Sequence, residues 1–291
     1  MDPAMRGWMN ASPAAAPAVE LGTAMRATTA GTVIQSRHPS FPEGSQVVGM
    51  LNAQSHALTD GAGLTLVDPA LGSAAMHLGL LGLSGLTAYF GMVVHGNPRA
   101  GDTVVVSAAA GAVGSIAGQL AALSGCRVVG VTSGADKCAR LVSELGYHQA
   151  VDRSQPTFAG DLAAACPEGI DLYFDNVGGE VLDAALACIA VGGHVVLCGG
   201  ISQYNATSRP PGPGNYMNLL VRRGQMSGFV VSDHSADYPS ARGQLSAWLR
   251  QGALVAPQTV VAGELSDFPP VFAMLFDGAN FGKLLLDISQ V

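Results

Sequence analysis

The chain reads as an α/β protein, a doubly wound parallel sheet preceded by a smaller β-rich module, and three features carry that reading. From about residue 100, apolar runs of four to seven residues alternate with longer Ala/Leu-rich stretches, the texture of βαβ units whose strands are buried on both faces. Charged residues make up only 12% of the 291 residues, against roughly 25% in ordinary globular domains, and glycine is abundant at 38. A glycine turn, Ala108-Ala-Ala-Gly-Ala-Val-Gly-Ser115, falls where the first of the apolar runs would pass into a helix.

Taken in order, Gly31-Thr-Val-Ile34 and Gln46-Val-Val-Gly49 are short β-like runs, punctuated by His38-Pro39 and Phe41-Pro-Glu-Gly44. They predict small antiparallel strands belonging to part of an all-β module. Strands are then expected at 103–107, 127–133, 150–152, 171–177, 194–200 and 226–231, the number that completes a doubly wound sheet. Helices are expected between them at 113–125, 135–146, 158–166 and 180–190, and a Pro/Gly loop over 209–214 cannot be helical. Beyond residue 235 the pattern predicts a helix at 238–251 and short strands near 256–262 and 282–288. The expected division is a first module over 1–90, the parallel-sheet domain over 91–235, and a return to the first module over 236–291. There is no internal repeat.

Composition also excludes classes of function. Residues 69–98 and 103–126 carry no Asp, Glu, Lys or Arg and pass the roughly 18-residue length of a membrane span. A span must be continuous helix, however, and the first stretch has glycine at 72, 79, 82, 85, 91 and 96 while the second opens on three valines and a turn. No membrane insertion is expected. A net charge of −7 provides no electrostatic footprint for nucleic acid or an anionic membrane surface. The five cysteines form no C-x-x-C, and the N-terminus has no apolar signal segment after Arg6, which together place the chain in a reducing compartment, the cytoplasm. The sequons at Asn10 and Asn205 are then chance matches. The seven histidines show no metal-ligand spacing, no G-x-S-x-G elbow is present, and Ser232-Asp-His234 is mere adjacency, so neither zinc nor hydrolase chemistry is expected.

The turn at 108–115 is an A-x-G-x-x-G sequence in the setting a dinucleotide fingerprint requires. Gly111, Ala112 and Val113 would bring backbone close to a pyrophosphate, and Gly114 would let the helix pack on the strand. The bland reading is a tight strand–helix turn that binds nothing; the strand before, helix after and next strand on schedule favour binding. The end of the second strand holds Ser133-Gly134, with no carboxylate to bond a ribose 2′-hydroxyl. Lys137 and Arg140 follow, opposed by Asp136, which favours NADP(H) over NAD.

With metal and hydrolytic chemistry set aside, hydride transfer remains, and its residues belong at the carboxyl ends of the strands. There the chain offers Asn176-Val-Gly-Gly179, Cys198-Gly-Gly-Ile-Ser-Gln-Tyr-Asn205 and Phe229-Val-Val231. Tyr204 is the one phenol among these loops and could donate to a carbonyl gaining negative charge, unless it is a packing tyrosine. Asn176 is either a ligand-facing amide or a helix cap.

These residues carry a family resemblance. Asp2-Pro-Ala-Met-Arg-Gly7, Gly85-Leu-Thr-Ala-Tyr-Phe-Gly91, Ala108–Ser115, Tyr173-Phe-Asp-Asn-Val-Gly-Gly179, Cys198–Asn205, Pro210-Pro-Gly212 and Gly278-Ala-Asn-Phe-Gly-Lys283 are similar to the zinc-independent medium-chain dehydrogenase/reductases of the leukotriene B4 dehydrogenase, prostaglandin reductase and plant double-bond reductase type. The resemblance spans nearly the whole chain. It implies a GroES-like substrate domain beside a Rossmann domain, NADPH as cofactor, a homodimer, and reduction of the carbon–carbon double bond of α,β-unsaturated aldehydes and ketones. It further implies that Gly111 to Gly114 hold the pyrophosphate, Lys137 with Ser133 the 2′-phosphate end, and Asn176 and Asn280 the rest of the cofactor. Cys198, Gly199, Ile201, Ser202, Phe229, Val230 and Val231 would line the nicotinamide, and Tyr204 would stabilise or protonate the enolate. NADPH-dependent quinone reduction and cofactor binding without catalysis are the rival readings. The chain departs from the family at Ala4 and Arg153, where tyrosines are common, and its Asp2-Pro motif stands at residue 2 where relatives carry several strands before it, so the GroES-like domain is expected to be incomplete.

Overall fold

The computed structural model describes residues 1–9, 17–208 and 210–289; the Asn10 sequon and Arg209, first residue of the Pro/Gly loop, lie outside the described residues. Strands β1 (Thr29–Thr32), β2 (Gln46–Gly49) and β3 (Thr65–Leu66) form an antiparallel sheet in that order. β2 coincides with the Gln46–Gly49 run, while β1 begins two residues before Gly31. The uncharged stretch that follows is largely helical, with α1 (Ala74–Leu78), α2 (Leu83–Tyr89) and a π-helical segment at Phe90–Gly96. The sequence did not predict these helices, because glycines stand within α2 and the π-helical segment and on either side of α1, and glycine lowers helix propensity. At Gly91 the reason is close approach: a Cβ there would come within 2.7 Å of the Phe174 ring. Among the described residues no helix is long and apolar enough to cross a membrane.

The main sheet has six strands, β4 (Thr103–Ser107), β5 (Arg127–Thr132), β6 (Gln149–Asp152), β7 (Ile170–Asp175), β8 (Ile189–Leu197) and β9 (Gln225–Gly228), in the order β6-β5-β4-β7-β8-β9. Every pairing is parallel. This is the doubly wound Rossmann order, with its reversal between β4 and β7. Helices α3 (Gly114–Leu123), α4 (Ala135–Leu145), α5 (Phe158–Ala165), α6 (Gly179–Ala187) and α7 (Met217–Arg222) connect the strands. Val104, Val106 and Val128 pack on one side with Ile116 and Leu120 of α3, and Val105, Val129 and Tyr173 on the other with Leu162 of α5 and Leu182 and Leu186 of α6. Alternate valines thus face opposite layers, which is why the strands read as unbroken apolar runs and why charge is scarce. β8 starts five residues before the expected His194, since Gly192-Gly193 reads as a break but is carried inside the strand, opposite a register shift in β7.

The C-terminal region contains α8 (Tyr238–Arg250), β10 (Gln258–Ala262), α9 (Phe268–Asp277) and β11 (Lys283–Asp287), with β10 and β11 paired in parallel. Pro269-Pro270 hid α9 from the sequence reading; the prolines stand in its first turn, where the missing N–H groups have no helical acceptor anyway. Leu245 of α8 joins the core on the α3 side of the sheet, whereas Phe272 of α9 packs with Met5 and Ala27.

Lys283, 5% exposed, ties the two ends of the chain together, its Nζ lying 2.7 Å from Asp2 Oδ1 and 3.3 Å from Ser84 Oγ. Burial would raise the Asp2 carboxyl, but the Lys283 ammonium, the chain's amino group and the Ser84 hydroxyl outweigh it and hold the group at about 2. A carboxyl depressed below its unfolded value of 3.8 contributes stability above about pH 4, and that contribution is lost as pH falls towards 2. Asp2→Ala, which strands the buried ammonium, is expected to cost about 3 kcal/mol near neutrality, the low end for a buried pair because the Asp2 side chain keeps 31% exposure. Urea melts of parent and variant should differ by that amount at pH 7 and converge as the pH approaches 2.

Candidate active site

The glycine turn leaves β4 at Ser107 and enters α3 at Gly114. A Cβ on Gly114 would collide with the Ala108 carbonyl oxygen and lie 2.8 Å from Ala109 Cα, so only glycine lets the helix seat against the strand end. The buried Tyr147 hydroxyl donates to the Gly114 carbonyl at 2.6 Å and pins that first turn. α3 has no side-chain cap; Ser115 N and Ile116 N donate to Gly111 O at 3.0 Å and Val113 O at 3.1 Å, so the donors left open among the described residues are Ala112 N, Val113 N and Gly114 N. Ser115 Oγ, buried in the same turn, has no hydrogen-bond partner. Open backbone donors, a buried hydroxyl without a partner and a helix N-terminus together fit a phosphate oxygen. Gly111, Ala112 and Val113 form the partly exposed rim of this cradle.

Asn280 is brought to the same place from the far end of the chain. It is 7% exposed and its Nδ2 donates to the Gly282 carbonyl at 2.9 Å, while the Gly282 N–H donates to Ala110 O at 2.8 Å and Gly282 bridges Gly111. Gly278 in turn accepts from Lys137 Nζ at 2.7 Å. Burial and the nearby Arg153 and Arg140 guanidinium groups lower the Lys137 ammonium below its ordinary value, the mark of a cation cluster with room for an anion. Arg140 lies 3.7 Å above the Phe281 ring centroid and pairs with Glu144 at 2.7 Å. Ser133 stands half-buried just past β5. Beside it is a carboxylate that the sequence did not place there: Asp152 Oδ1 accepts from Gly134 N at 2.9 Å, and from Ser154 N and Oγ at 2.9 and 2.6 Å. These donors hold the Asp152 carboxyl far below the usual range and occupy it within its own loop.

A second cluster of candidate residues is built on Ser107 and Asp175. Asn176 N donates to Ser107 Oγ at 2.9 Å and Asn176 Nδ2 to Ser107 O at 2.7 Å, which uses one of the two amide protons and leaves the other, with Oδ1, for the side chain to present. Cys198 N and Gly199 N both donate to the Asp175 carbonyl, at 2.8 and 3.0 Å, and Ile201 N donates to Asn176 O at 3.2 Å. Ser202 Oγ donates to Val177 O at 2.6 Å. The segment from Cys198 to Tyr204 therefore hangs from residues 175–177. Tyr204 Oη accepts from Gly200 N at 3.2 Å, so its own proton remains available to another acceptor. From the first module, Arg6 Nε reaches Asn205 Oδ1 at 2.8 Å and borders this loop.

Phe229, Val230 and Val231 follow β9 rather than ending it, since the strand stops at Gly228, the partner of Leu197. The Phe229 ring stacks on His95, with centroids 4.9 Å apart, and packs over Gly91 and Phe174. Val230 is exposed, and the Val231 carbonyl accepts from Tyr238 Oη at 3.0 Å. The fold thus brings Gly111 to Gly114, Asn280 and Lys137 together in one cluster and Asn176 with the 198–204 loop in the other, while the Phe229 ring is taken up by the π-helical segment. Sequence reasoning missed Ser107, Ser115 and Asp175; the available signal was a polar residue closing each of β4 and β7, Ser107 and Asp175, whereas Ser115, in the first turn of α3, had none. All five cysteines are free thiols. Among the described residues no group of three or more His, Cys, Asp or Glu is arranged to hold a metal ion.

Comparison with known proteins agrees with this geometry. Residues 112–247 match the family model described as zinc-binding dehydrogenase, and residues 1–67 match the N-terminal domain of oxidoreductase. The NADPH-dependent curcumin reductase of Escherichia coli (strain K12) is 36% identical over 294 residues, covering 99% of this chain and 85% of that protein. The NADP(+)-dependent 2-alkenal reductase of Nicotiana tabacum is 35% identical over 263 residues, 89% of this chain and 75% of the relative. The crystal structure of CurA from Vibrio vulnificus in complex with NADPH superimposes with a TM-score of 0.93 at 38% identity, covering 100% of this chain and 87% of CurA. The chain belongs to the zinc-independent medium-chain dehydrogenase/reductases, a family of oxidoreductases.

Proposed function

We propose that the chain reduces the carbon–carbon double bond of α,β-unsaturated aldehydes and ketones at the cleft running from Lys137 to Tyr204, with NADPH as cofactor. When bound, NADPH supplies the hydride. Lys137, with Arg140 and Arg153 around it, holds the 2′-phosphate end; the turn from Gly111 to Gly114 and Ser115 receives the pyrophosphate; Asn176 and Asn280 orient the rest. The names of the two relatives share one chemical feature, a conjugated C=C–C=O unit, which supports this substrate class.

The observation that carries the catalytic part is the Tyr204 hydroxyl, whose oxygen is occupied by Gly200 N and whose proton is free. As the substrate's β-carbon takes up hydride, its carbonyl oxygen gains negative charge, and Tyr204 donates to that oxygen. The decisive assay follows NADPH oxidation with a series of 2-alkenals, enones and quinones and identifies the product by mass spectrometry. Saturated carbonyl products support the proposal. Quinone turnover alone, or no turnover by protein that binds NADPH, overturns it.

Lys137→Ala is expected to weaken NADPH binding about 10- to 100-fold, the range for a hydrogen bond to a charged group, while leaving NADH binding nearly unchanged. Parallel titrations with the two cofactors check this. Two organisational proposals accompany the reading. Residues 1–90 and 236–291 act as one substrate-binding module around 91–235, supported by the packing of Phe272 against Met5 and Ala27, with α8 straddling the boundary. The protein works as a homodimer in the cytoplasm: α7 exposes Met217, Leu220 and Val221 beside β9 at the open edge of the sheet, and free cysteines suit a reducing compartment. Light scattering should return twice the 29.5 kDa of one chain.

A further inference from the structure

Asp175 closes β7 and is 1% exposed. Its Oδ1 collects four donors: Tyr173 Oη at 2.8 Å, Ser107 Oγ at 3.1 Å, and Val177 N and Gly178 N at 3.0 Å each. A carboxyl oxygen receiving four donors is acting as the acceptor that an ionised carboxylate provides. Its Oδ2, equally buried, has no partner. Among the described residues the two ion pairs are Arg140 with Glu144 and Lys283 with Asp2, so no basic side chain lies within 4.0 Å of Asp175 to neutralise it. The two amides, from Val177 and from Gly178 at the N-cap of α6, and the dipole of that helix offset part of the charge, no more than about half of it.

This incompletely compensated anion stands against the wall expected above to line the nicotinamide. Asp175 lines a cavity of about 380 Å³ together with Cys198, Gly199, Gly200 and Gln203, and its main-chain carbonyl carries the Cys198 and Gly199 amides. The sign of its field at that wall is legible in Cys198, whose thiol is pushed up to about 12 by burial and then by Asp175. Tyr173 is likewise raised well above its ordinary value by burial and by Asp175. A potential that disfavours an added negative charge favours an added positive one.

We infer that Asp175 is an electrostatic element of the cofactor site, a buried anion that makes the nicotinamide wall bind the cationic ring of NADP+ in preference to the neutral ring of NADPH. The inference rests on the cofactor reading proposed above. A charge fixed on a side chain as buried as Asp175 is less screened than one at the surface, so its removal shifts the preference on the order of tenfold. For a two-electron couple, tenfold corresponds to about 30 mV, in the direction that makes the bound cofactor a stronger hydride donor.

The test titrates the parent and Asp175→Asn separately with NADPH and with NADP+. Asn keeps an acceptor for the Oδ1 donors and removes the charge. The ratio Kd(NADP+)/Kd(NADPH) is expected to rise about tenfold in the variant. A purely structural role would move both constants together, and an unchanged ratio overturns the inference. If the parent binds neither form, the cofactor reading itself fails, a different result. Tyr173→Phe is the second variant, needed if Asp175→Asn does not fold: it removes one donor from the carboxylate, leaves the charge less compensated, and must lower the ratio. A ratio that rises or stays level there also overturns the inference.

Discussion

Tyr204→Phe is expected to lower kcat for an enone by about 10²- to 10³-fold, the loss seen when a single donor to a developing oxyanion is removed. The aromatic ring would remain in place, since only the hydroxyl distinguishes the two side chains, and the loop from Cys198 to Tyr204 is suspended chiefly from the backbone of residues 175–177. Binding of NADPH should therefore be unchanged. Because the hydrogen bond strengthens as charge accumulates on the substrate oxygen, kcat and kcat/KM should fall together while KM hardly moves. Steady-state kinetics with an enone, alongside NADPH titration of the same preparation, check both halves. A fall in cofactor affinity of the same size would assign Tyr204 to loop structure.

Gly114→Val is expected to abolish measurable NADPH binding, a loss of more than about 100-fold, and to destabilise the protein by about 3 kcal/mol. The reason is positional: any Cβ at this site enters the Ala108 carbonyl, which is main chain at a strand end and cannot rotate away. The helix must then lift from β4, carrying the Ala112 and Val113 amides and Ser115 out of register with a phosphate. Gly160 offers a contrast within the same domain. It lies inside α5, where a Cβ would meet nothing within 4 Å, so Gly160→Ala should be neutral or stabilise by about 0.5–1 kcal/mol. Thermal melts and cofactor titrations of the two variants separate a glycine required by contact from one that is merely tolerated.

The paired behaviour of these glycines shows where local sequence is informative. A turn between a valine-rich strand and an Ala/Leu helix announces Gly114, because the pattern on both sides is short-range. The parallel strands were legible for the same reason, since β4, β5 and β7 are runs buried on both faces and the less buried edge strands β6 and β9 follow at the same spacing, and β4 matches its expected bounds residue for residue. Helices α1, α2 and α9 were not, since the glycines flanking α1, the glycine within α2 and the prolines of α9 argue against helix until packing against the rest of the molecule is known.

The candidate site divides in the same way. Lys137, Asn176 and Tyr204 could be picked out because each follows a strand end in a loop of recognisable composition. Asn280 was reachable only through family resemblance, for nothing within its own segment says that Gly282 will bond to Ala110, more than 160 residues earlier. Asp152 was passed over because the relevant fact is a bond from Gly134, on the neighbouring strand's loop. Phe229 could be placed near the end of β9, which it in fact follows, but not oriented, and its ring packs over Gly91 and stacks on His95.

By itself, then, the sequence determined the doubly wound sheet, the phosphate-binding turn and the chemical character of the loops, because periodicity, turn chemistry and residue type act over a few neighbouring residues. Tertiary structure alone decided which charges are compensated. Asp152 and Asp175 are both aspartates at the carboxyl ends of parallel strands; the first is half-exposed and occupied by its own loop, while the second is buried with one oxygen unpartnered. Burial and the supply of donors from distant segments make that difference, and neither is written in the residues on either side.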